Sequence, residues 1–279
     1  MSTTEIKLNE LNKHQQKKTK IMAILNLTPD SFSDGGKFND PNDAFKRIEG
    51  LINDGADIID VGAESTRPGA EPISAEEEYK RLEPVLKDIK KEFPKIQVSL
   101  DTTKAEIAKF GCDCGVDIIN DVSGLKLDSK MASSISSYDV SVVVMHMKGT
   151  PQTMQHNPHY SDLVNEVKTS IQESIQIGKN HHISKFIVDP GIGFGKTIEH
   201  NLVLLNHLDE FKEFGYEIMI GTSKKSFIGK LLDAEVDDRL EGSISSNVVA
   251  VMKGASIVRV HDVKEMRKAL GVVDAIIGV

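Results

Sequence analysis

Short apolar runs recur along the chain, and almost every one ends at a polar residue or a glycine. The first run, from Ile21 to Leu25, is continuous and ends at Asn26. It is too short for a helix and lacks the alternation of a strand with one wet face, so it predicts a strand buried on both faces. Similar runs follow, and the predicted strands end at Asn26, Val61, Asp101, Asn120, His146, Asp189, Gly221 and His261.

Stretches with the apolar spacing of amphipathic helices separate these strands. Helices are predicted over residues 43–54, 75 to about 93, 127–138 and 162–178, with others toward the end of the chain. Alternating strands and helices are typical of a parallel sheet. Polar residues at nearly every strand end favour an α/β fold of the closed (β/α)8 TIM barrel type, because an open doubly wound sheet binds its ligand at one switch point. We predict a single barrel domain over residues 20–279, after a flexible tail over residues 1–19.

The composition favours a cytoplasmic enzyme that acts on small molecules. A chain of 279 residues with 39% hydrophobic content is long enough for a full core. Its formal net charge of −8 argues against nucleic-acid and membrane partners, because polyanions are repelled on average. No run approaches a membrane span in length, and no secretory signal is evident. Cys112 and Cys114 lack C-x-x-C spacing and are predicted to be free buried thiols.

Three middle strands end in carboxylate or carboxamide side chains, at Asp101, Asn120 and Asp189. The carboxyl ends of parallel strands meet at one rim of a barrel, so these side chains are expected on one face. Carboxylates accept from ring N–H and amino groups, while an amide both donates and accepts. The set therefore predicts a site for a flat heterocycle with N–H donors along one edge. Taken singly, each of them is as consistent with a structural hydrogen bond at the rim.

A second set of candidates is basic or carries hydroxyl groups, and it comprises Thr66, Arg67, Lys224, Lys225, Arg259 and His261. Arginine presents a fork that matches phosphate oxygens, and barrel enzymes often bind phosphate after strands seven and eight. Arg259 is the most specific of the set, because a cation inside a strand is costly to bury without an anion. For Lys224 an exposed, solvated side chain is the simpler interpretation.

Asn26 offers a hard oxygen suited to Mg²⁺, which takes one or two protein ligands and keeps its waters and substrate phosphates. A metal beside a phosphate site fits the loss of a pyrophosphate leaving group, since charge builds on oxygen as the bond breaks. The loop that follows Asn26 is rich in turn formers and hydroxyl groups and is predicted to be a mobile lid.

Two motifs suggest other chemistry but do not meet its requirements. The segment Gly191–Thr197 resembles a phosphate loop, yet Pro190 stands where the first glycine is needed, so a turn is predicted. Four histidines lack the spacing and third ligand of a zinc site, and loop or solvent-facing positions are expected for His146, His156, His181 and His182.

Eight motifs in order along residues 23–263 resemble the dihydropteroate synthase family of the pterin-binding barrel superfamily. They are A-I-L-N-L-T-P-D-S-F-S-D-G-G, D-V-G-A-E-S-T-R-P-G-A, V-S-L-D-T-T, I-I-N-D-V-S-G, V-V-M-H-M-K-G-T-P, D-P-G-I-G-F-G-K, G-T-S-K-K-S-F-I-G and V-R-V-H-D-V. The first, second and seventh are specific, and the others are shared in part with pterin-binding methyltransferases. Two positions depart from the family: Ala63 replaces a usual glycine, and Lys224 replaces a commoner arginine.

The resemblance implies that 6-hydroxymethyl-7,8-dihydropterin diphosphate condenses with 4-aminobenzoate to give 7,8-dihydropteroate and pyrophosphate in folate synthesis. It assigns the Mg²⁺ ligand to Asn26 and the diphosphate contacts to Thr66, Arg67, Arg259 and His261. The pterin contacts fall to Asp101, Asn120, Asp189 and Lys225, with Met145, Phe194 and Gly221 lining that pocket. The aminobenzoate side, where sulfonamides compete, falls to Phe32, Pro68, Ser223 and Ser226. The catalytic set is Asp101, Asp189, Lys225 and Arg259, and the family's habit implies a homodimer formed through the last helices.

Two alternatives stay open at this point, a methyltetrahydrofolate-dependent methyltransferase and a non-catalytic pterin-binding protein. The methyltransferase has no use for a diphosphate site, so Arg67 and Arg259 count against it. Arg259→Ala is expected to weaken diphosphate handling far more than it changes thermal stability.

Overall fold

The computed structural model describes residues 18–28, 41–65 and 69–278. Three predictions lie outside these residues: the tail over residues 1–17, most of the lid after Asn26, and the roles of four candidates. Those candidates are Phe32, Thr66, Arg67 and Pro68.

The described chain forms eight strands, each at a predicted position. They are Lys20–Asn26 (β1), Ile58–Gly62 (β2), Gln97–Asp101 (β3), Ile118–Asp121 (β4), Ser141–Met145 (β5), Phe186–Asp189 (β6), Glu217–Ile220 (β7) and Ile257–Val260 (β8). All neighbours pair in parallel, and β1 also pairs with β8, so the sheet closes in chain order. This closure confirms the predicted TIM barrel and excludes the open doubly wound sheet.

Helices connect the strands and cover the outside of the barrel. Within the described residues they are Pro41–Asn53 (α1), Ala75–Glu92 (α2), Ala105–Asp113 (α3), Met131–Ile135 (α4), Leu163–Asn180 (α5), Ile198–Asn206 (α6), Ser226–Leu232 (α7), Leu240–Met252 (α8) and Val263–Ile277 (α9). Their apolar faces pack with the outward residues of the strands in one large core cluster.

The predicted helix over residues 127–138 is wrong in extent, since only Met131–Ile135 is helical. The carboxylate of Asp128 accepts hydrogen bonds from the backbone N–H groups of Ala105 and Lys130, each at 2.9 Å. These bonds hold a turn where the apolar spacing alone predicted a helix, and they leave Leu127 56% exposed.

The amino ends of the strands are closed by contacts between β1, β2 and α9. Thr19, which the sequence analysis places in the tail, is buried, and its hydroxyl donates to Asp274 Oδ1 at 2.6 Å. The guanidinium of Arg267 donates to the carboxylate of Asp57, which also accepts from the N–H of Ile21 at 2.8 Å. This end of the barrel is therefore held by an ion pair of its own, remote from the rim where the strands end.

Both cysteines are free, as predicted. Cys112 is buried, and burial raises the pKa of its thiol to about 12, while Cys114 is half-buried. In the described part of the chain, no helix combines the length and the apolar content needed to cross a membrane.

Candidate active site

The side chains that point into the barrel change from apolar to polar between one inward position of each strand and the next, two residues further on. Seven inward side chains form an apolar layer, which consists of Met22, Ile58, Ile118, Val143, Ile187, Met219 and Ile257. Two residues further along a strand, the side chain points to the same face. The inward positions one step toward the carboxyl ends include Asp60, Asn120, Asp189 and Arg259, with Asp101 on β3. We call these five residues the polar layer.

Met145 and Gly221 occupy corresponding inward positions after Val143 and Met219. Met145 is buried, and Gly221 lies beside Arg259, since a Cβ there would meet the Arg259 Cβ at 3.7 Å. The structure thus brings the predicted pterin-pocket residues of β3 to β8 to one level of the barrel.

Arg259 binds two carboxylates of the polar layer. Its Nε donates to Asp60 Oδ2 and its Nη2 to Asp101 Oδ2, each at 2.6 Å. Burial acts to lower the pKa of the guanidinium, but the carboxylates of Asp60 and Asp101 outweigh it and raise that pKa above its ordinary value. Arg259 was predicted to need an anion, and the structure pairs it with two carboxylates of the protein itself. Its guanidinium therefore forms part of the floor of the site.

Asp60 is the member of the polar layer that the sequence analysis missed. It is fully buried, and besides Arg259 it accepts a hydrogen bond from Asn120 Nδ2 at 3.2 Å. Only strand ends were searched for polar groups, and Asp60 stands inside the run Ile58–Val61. An acid that interrupts an apolar strand was the signal that could have found it.

The ionisation of the polar layer is shifted by its burial. Burial raises the pKa of Asp101 to about 7; Arg259 opposes this rise, and the nearby carboxylate of Asp60 adds to it. Burial also raises the pKa of Asp189, against the attraction of Lys225. Lys225 responds in the opposite direction, because burial lowers the pKa of its ammonium to about 8. Titratable groups shifted toward neutrality inside one cavity are typical of functional sites.

The turn after β6 shapes the side of the site. Gly191 donates its N–H to Asp189 Oδ1 at 2.7 Å and has a φ of +72°. A Cβ at Gly191 would lie 1.9 Å from the carbonyl oxygen of His146, so only glycine fits this close approach. Lys225 donates from Nζ to the carbonyl of Ile192 and lies 4.6 Å from the centroid of the Phe194 ring. The turn therefore sets Phe194 against the ammonium of Lys225, a cation–π contact.

Lys196 ties this turn to the end of β5. Its buried Nζ lies 2.9 Å from His146 Nδ1 and donates to the carbonyls of Gly191 at 2.8 Å and Phe194 at 2.9 Å. The segment that resembles a phosphate loop is thus a turn braced by its own lysine. The expected solvent-facing position of His146 is wrong: the ring is buried, and burial, then the charge of Lys196, lowers its pKa to about 2.

The strand ends of β7 and β8 are linked by a serine and a histidine. Ser223 Oγ accepts from the backbone N–H of His261 at 3.2 Å and lies 3.0 Å from its Nδ1. The ammonium of Lys224 forms an ion pair with Asp262 at 3.1 Å, so the solvated side chain expected for Lys224 is wrong as well. Ser223 and His261 lie at the rim above Arg259.

Ser226 lies apart from the polar layer, at the start of α7. It borders a cavity of about 320 Å³ that is also lined by Gln155, Asn157, Pro158, Lys196, Thr197, Ile198, Glu199, Asn201, Phe227 and Lys230. Ser226 directly follows Lys225, whose Nζ contacts the turn after β6.

Asn26 ends β1 beside Gly62, which in turn pairs with Asp101. Among residues 18–28, 41–65 and 69–278, no three His, Cys, Asp or Glu side chains converge to hold a metal ion by themselves. A single carboxamide oxygen fits Mg²⁺ when phosphate oxygens and water complete its shell, and does not fit a resident structural metal. The donor set is therefore compatible with a metal that arrives with a phosphorylated ligand.

Comparison with known proteins agrees with this geometry. Residues 22–261 match the family described as pterin binding enzyme. The dihydropteroate synthase of Clostridium beijerinckii is 46% identical over 263 residues, which cover 93% of this chain and 95% of that protein.

Two solved structures are similar across the whole barrel. A dihydropteroate synthase from Clostridium difficile, solved with pteroic acid, is 44% identical, with a TM-score of 0.87 and coverage of 94% of this chain and 97% of that one. The Xanthomonas albilineans enzyme with 4-aminobenzoic acid is 37% identical, with a TM-score of 0.87 and 94% coverage of both chains. These likenesses, together with the barrel and its polar layer, show that the chain belongs to the dihydropteroate synthase family of pterin-binding enzymes.

Proposed function

We propose that this site condenses 6-hydroxymethyl-7,8-dihydropterin diphosphate with 4-aminobenzoate, releasing pyrophosphate and forming 7,8-dihydropteroate. The observation that carries the proposal is the polar layer, in which Asp101, Asn120 and Asp189 lie at one level of the barrel with Arg259. Relatives in complex with pteroic acid and with 4-aminobenzoic acid support the same pair of substrate halves.

The polar layer matches the chemistry of a pterin ring. A flat ring with N–H groups along one edge needs acceptors, and the buried carboxylates of Asp101 and Asp189 provide them. Lys225, whose Nζ contacts the turn after β6 at Ile192, can also donate to a ring nitrogen or oxygen. Phe194, held against Lys225, supplies an apolar surface for the ring face.

The proposed reaction needs no nucleophile from the protein. The bond between the pterin methylene carbon and the diphosphate oxygen breaks, and its electron pair leaves with pyrophosphate. The resulting cationic methylene is stabilised by the ring electrons and by the carboxylates of Asp101 and Asp189. The amine of 4-aminobenzoate then forms the new C–N bond and loses a proton to solvent.

The leaving group meets cationic and hydrogen-bonding residues near β1 and β8. Within the described residues, Nη1 of Arg259 makes no hydrogen bond, so it can donate to a diphosphate oxygen, as can His261 at the rim. Asn26 is the residue that would hold Mg²⁺, which when bound neutralises charge on the departing diphosphate.

The decisive assay measures pyrophosphate release with each component omitted in turn. We expect release only when Mg²⁺, the pterin diphosphate and 4-aminobenzoate are all present. Methyl transfer from methyltetrahydrofolate would indicate the methyltransferase alternative, and pterin binding without pyrophosphate release under any condition would indicate a non-catalytic protein. Either result would refute the proposed function.

Pterin affinity should depend on pH through Asp101. Its carboxyl, with a pKa raised to about 7, accepts from ring N–H groups more strongly when ionised, so binding releases protons near neutrality. We expect the affinity for 6-hydroxymethylpterin to be highest above pH 7 and to fall by up to about tenfold per pH unit below it.

Titration calorimetry near neutrality in two buffers with different ionisation heats measures this proton release. Asp101→Asn removes the titrating group and should reduce the number of protons released. The charged groups that act on Asp101, namely Arg259, Asp60, Glu78 and Asp121, are unchanged in that variant. Identical binding heats in both buffers for the wild-type protein would contradict the prediction.

We also propose a homodimer formed through α8 and α9. These helices pack together, and they expose apolar side chains, namely Val249, Met252, Val272, Ile276 and Ile277. A patch of this kind is typical of a protein interface. Met252→Glu should shift the protein to monomers in sedimentation experiments, whereas Leu127→Glu, at an exposed leucine elsewhere, should not.

The cytoplasmic location stays a prediction of the sequence.

A further inference from the structure

Asp60 has no assigned part in the proposed function, yet its carboxylate is fully buried inside the barrel. It is 0% exposed and carries a carboxylate on the same strand face as Ile58, which belongs to the apolar layer. Burying a carboxylate costs desolvation free energy that an apolar side chain would not cost. Its presence therefore calls for partners that depend on its charge. Its partners are Arg259 and Asn120, two residues that the proposed function places at the pterin.

The charge of Asp60 decides which way the amide of Asn120 faces. Asn120 Nδ2 lies 3.2 Å from Asp60 Oδ2, so the amide N–H group is directed at the carboxylate. The reversed amide would place its oxygen against the carboxylate, and two acceptors would then repel each other. With Nδ2 held below, Oδ1 of Asn120 is the atom left for a ligand, and no donor among the described residues reaches it.

Asp60 also determines the orientation of the Arg259 guanidinium. Nε binds Asp60 and Nη2 binds Asp101, so one edge of the planar group is held by two carboxylates on different strands. The opposite edge, which carries Nη1, is thereby directed away from them. Asp60 is bonded to both of these residues, so one side chain couples their orientations.

We propose that Asp60 is a positioning residue for the pterin: it turns the amide oxygen of Asn120 and the free edge of Arg259 toward the ligand. This inference rests on the proposed function, because it assumes that a ring with N–H donors lies on the polar layer. The layer then presents acceptors from Asp101, Asn120 and Asp189 together, which selects a ligand edge rich in donors over one rich in acceptors.

The test compares Asp60, in the middle of β2, with Asp57, which directly precedes β2. Asp60→Asn keeps the size of the side chain and removes its charge. Its one amide oxygen must replace Oδ2, which accepts from both Arg259 and Asn120, and both hydrogen bonds become weaker without the negative charge. We expect its dissociation constant for 6-hydroxymethylpterin to rise about 10- to 100-fold, the range seen when an orienting partner of a metal ligand is removed. The KM for 4-aminobenzoate should change little.

Asp57→Asn is the matched control. Asp57 also pairs with an arginine, Arg267, but at the amino ends of the strands. We expect Asp57→Asn to lower the melting temperature and to leave the dissociation constant for 6-hydroxymethylpterin unchanged. Equal weakening of pterin binding by both substitutions would reduce Asp60 to a structural residue and overturn the inference.

A swap of the two side chains tests orientation directly, and it keeps the number of carboxylates in the layer. In Asp60→Asn/Asn120→Asp, the new amide at 60 accepts from Arg259 and donates to the new carboxylate at 120, which still offers an acceptor to the ring. We expect the swap to recover most of the affinity lost in Asp60→Asn. A folded swap variant that binds no better than Asp60→Asn, or an Asp60→Asn protein with wild-type affinity, would overturn the inference. The comparisons of Asp60 and Asp57 variants measure pterin binding and not turnover. A wild-type protein that releases no pyrophosphate would therefore count against the proposed function alone.

Discussion

Arg259→Ala should abolish pyrophosphate release and also destabilise the fold. The guanidinium is the cation that binds both Asp60 and Asp101, so its removal leaves two buried carboxylates without their counterion. Removing one partner of a buried ion pair costs about 3–5 kcal/mol of the free energy of unfolding. The same variant loses a donor to the departing diphosphate, and we expect kcat to fall on the order of 10³-fold.

This expectation replaces the one drawn from the sequence, in which Arg259 served the diphosphate with little effect on stability. Chemical denaturation measures the loss of stability, and an assay at a temperature where the variant is folded measures the loss of activity. Arg259→Lys should recover part of the stability but little activity, because a point charge lacks the planar fork that binds two acids at fixed positions.

Arg267→Ala is the control for this variant. Arg267 pairs with Asp57 and also donates to the carbonyls of Gly55 and Thr19, all at the amino ends of the strands. Its removal should lower stability while the folded protein keeps its kcat. An Arg259→Ala protein with unchanged stability would show that Asp60 and Asp101 do not depend on the guanidinium, contrary to the ion pairs described here.

Asp189→Asn should lower kcat/KM for the pterin substrate on the order of 10²- to 10³-fold. In the proposed reaction the carboxylate accepts from the pterin edge and stabilises the positive charge that develops on the methylene, so an amide would weaken both interactions. Its effect on stability should be smaller, because the side chain of asparagine can still accept from the N–H of Gly191, as Asp189 Oδ1 does at 2.7 Å.

Asp121 provides a matched control, since it is also a buried aspartate that ends a strand and accepts from the turn after it. Its Oδ1 accepts from the N–H of Ser123 at 2.8 Å and its Oδ2 from that of Leu125 at 2.9 Å. Asp121 follows Asn120 and therefore points to the opposite face of the sheet, away from the polar layer. Asp121→Asn should lower stability and leave kcat/KM nearly unchanged. Comparable kinetic losses in both variants would indicate that each aspartate acts only by holding its turn.

The sequence predicted the positions of the strands because each is a short apolar run bounded by polar residues. It also predicted that Asp101, Asn120 and Asp189 lie on one face, since parallel strands bring their carboxyl ends to one rim, and it assigned Arg259 to a second, basic set. It could not show that Arg259 binds protein carboxylates, because that depends on which inward side chains face each other across the barrel. Asp60 was missed for the same reason.

The buried position of His146 shows a second limit of prediction from sequence. Its neighbours along the chain indicate a residue leaving a strand for a loop, and nothing local indicates that Lys196 returns from the next loop to lie 2.9 Å from its ring. Buried polar contacts between segments 50 residues apart carry no periodic signal. Burial of such groups is therefore visible only once the loops are placed.

The apolar layer beneath the polar layer has a consequence for the order in which ligands exchange. Packed side chains fill the barrel interior on the amino side of the polar layer, so a ligand can reach that layer only from the carboxyl ends of the strands. A ring seated on that layer must enter before anything above it and must leave last. In the proposed reaction, a new pterin could therefore enter only after the finished product had departed.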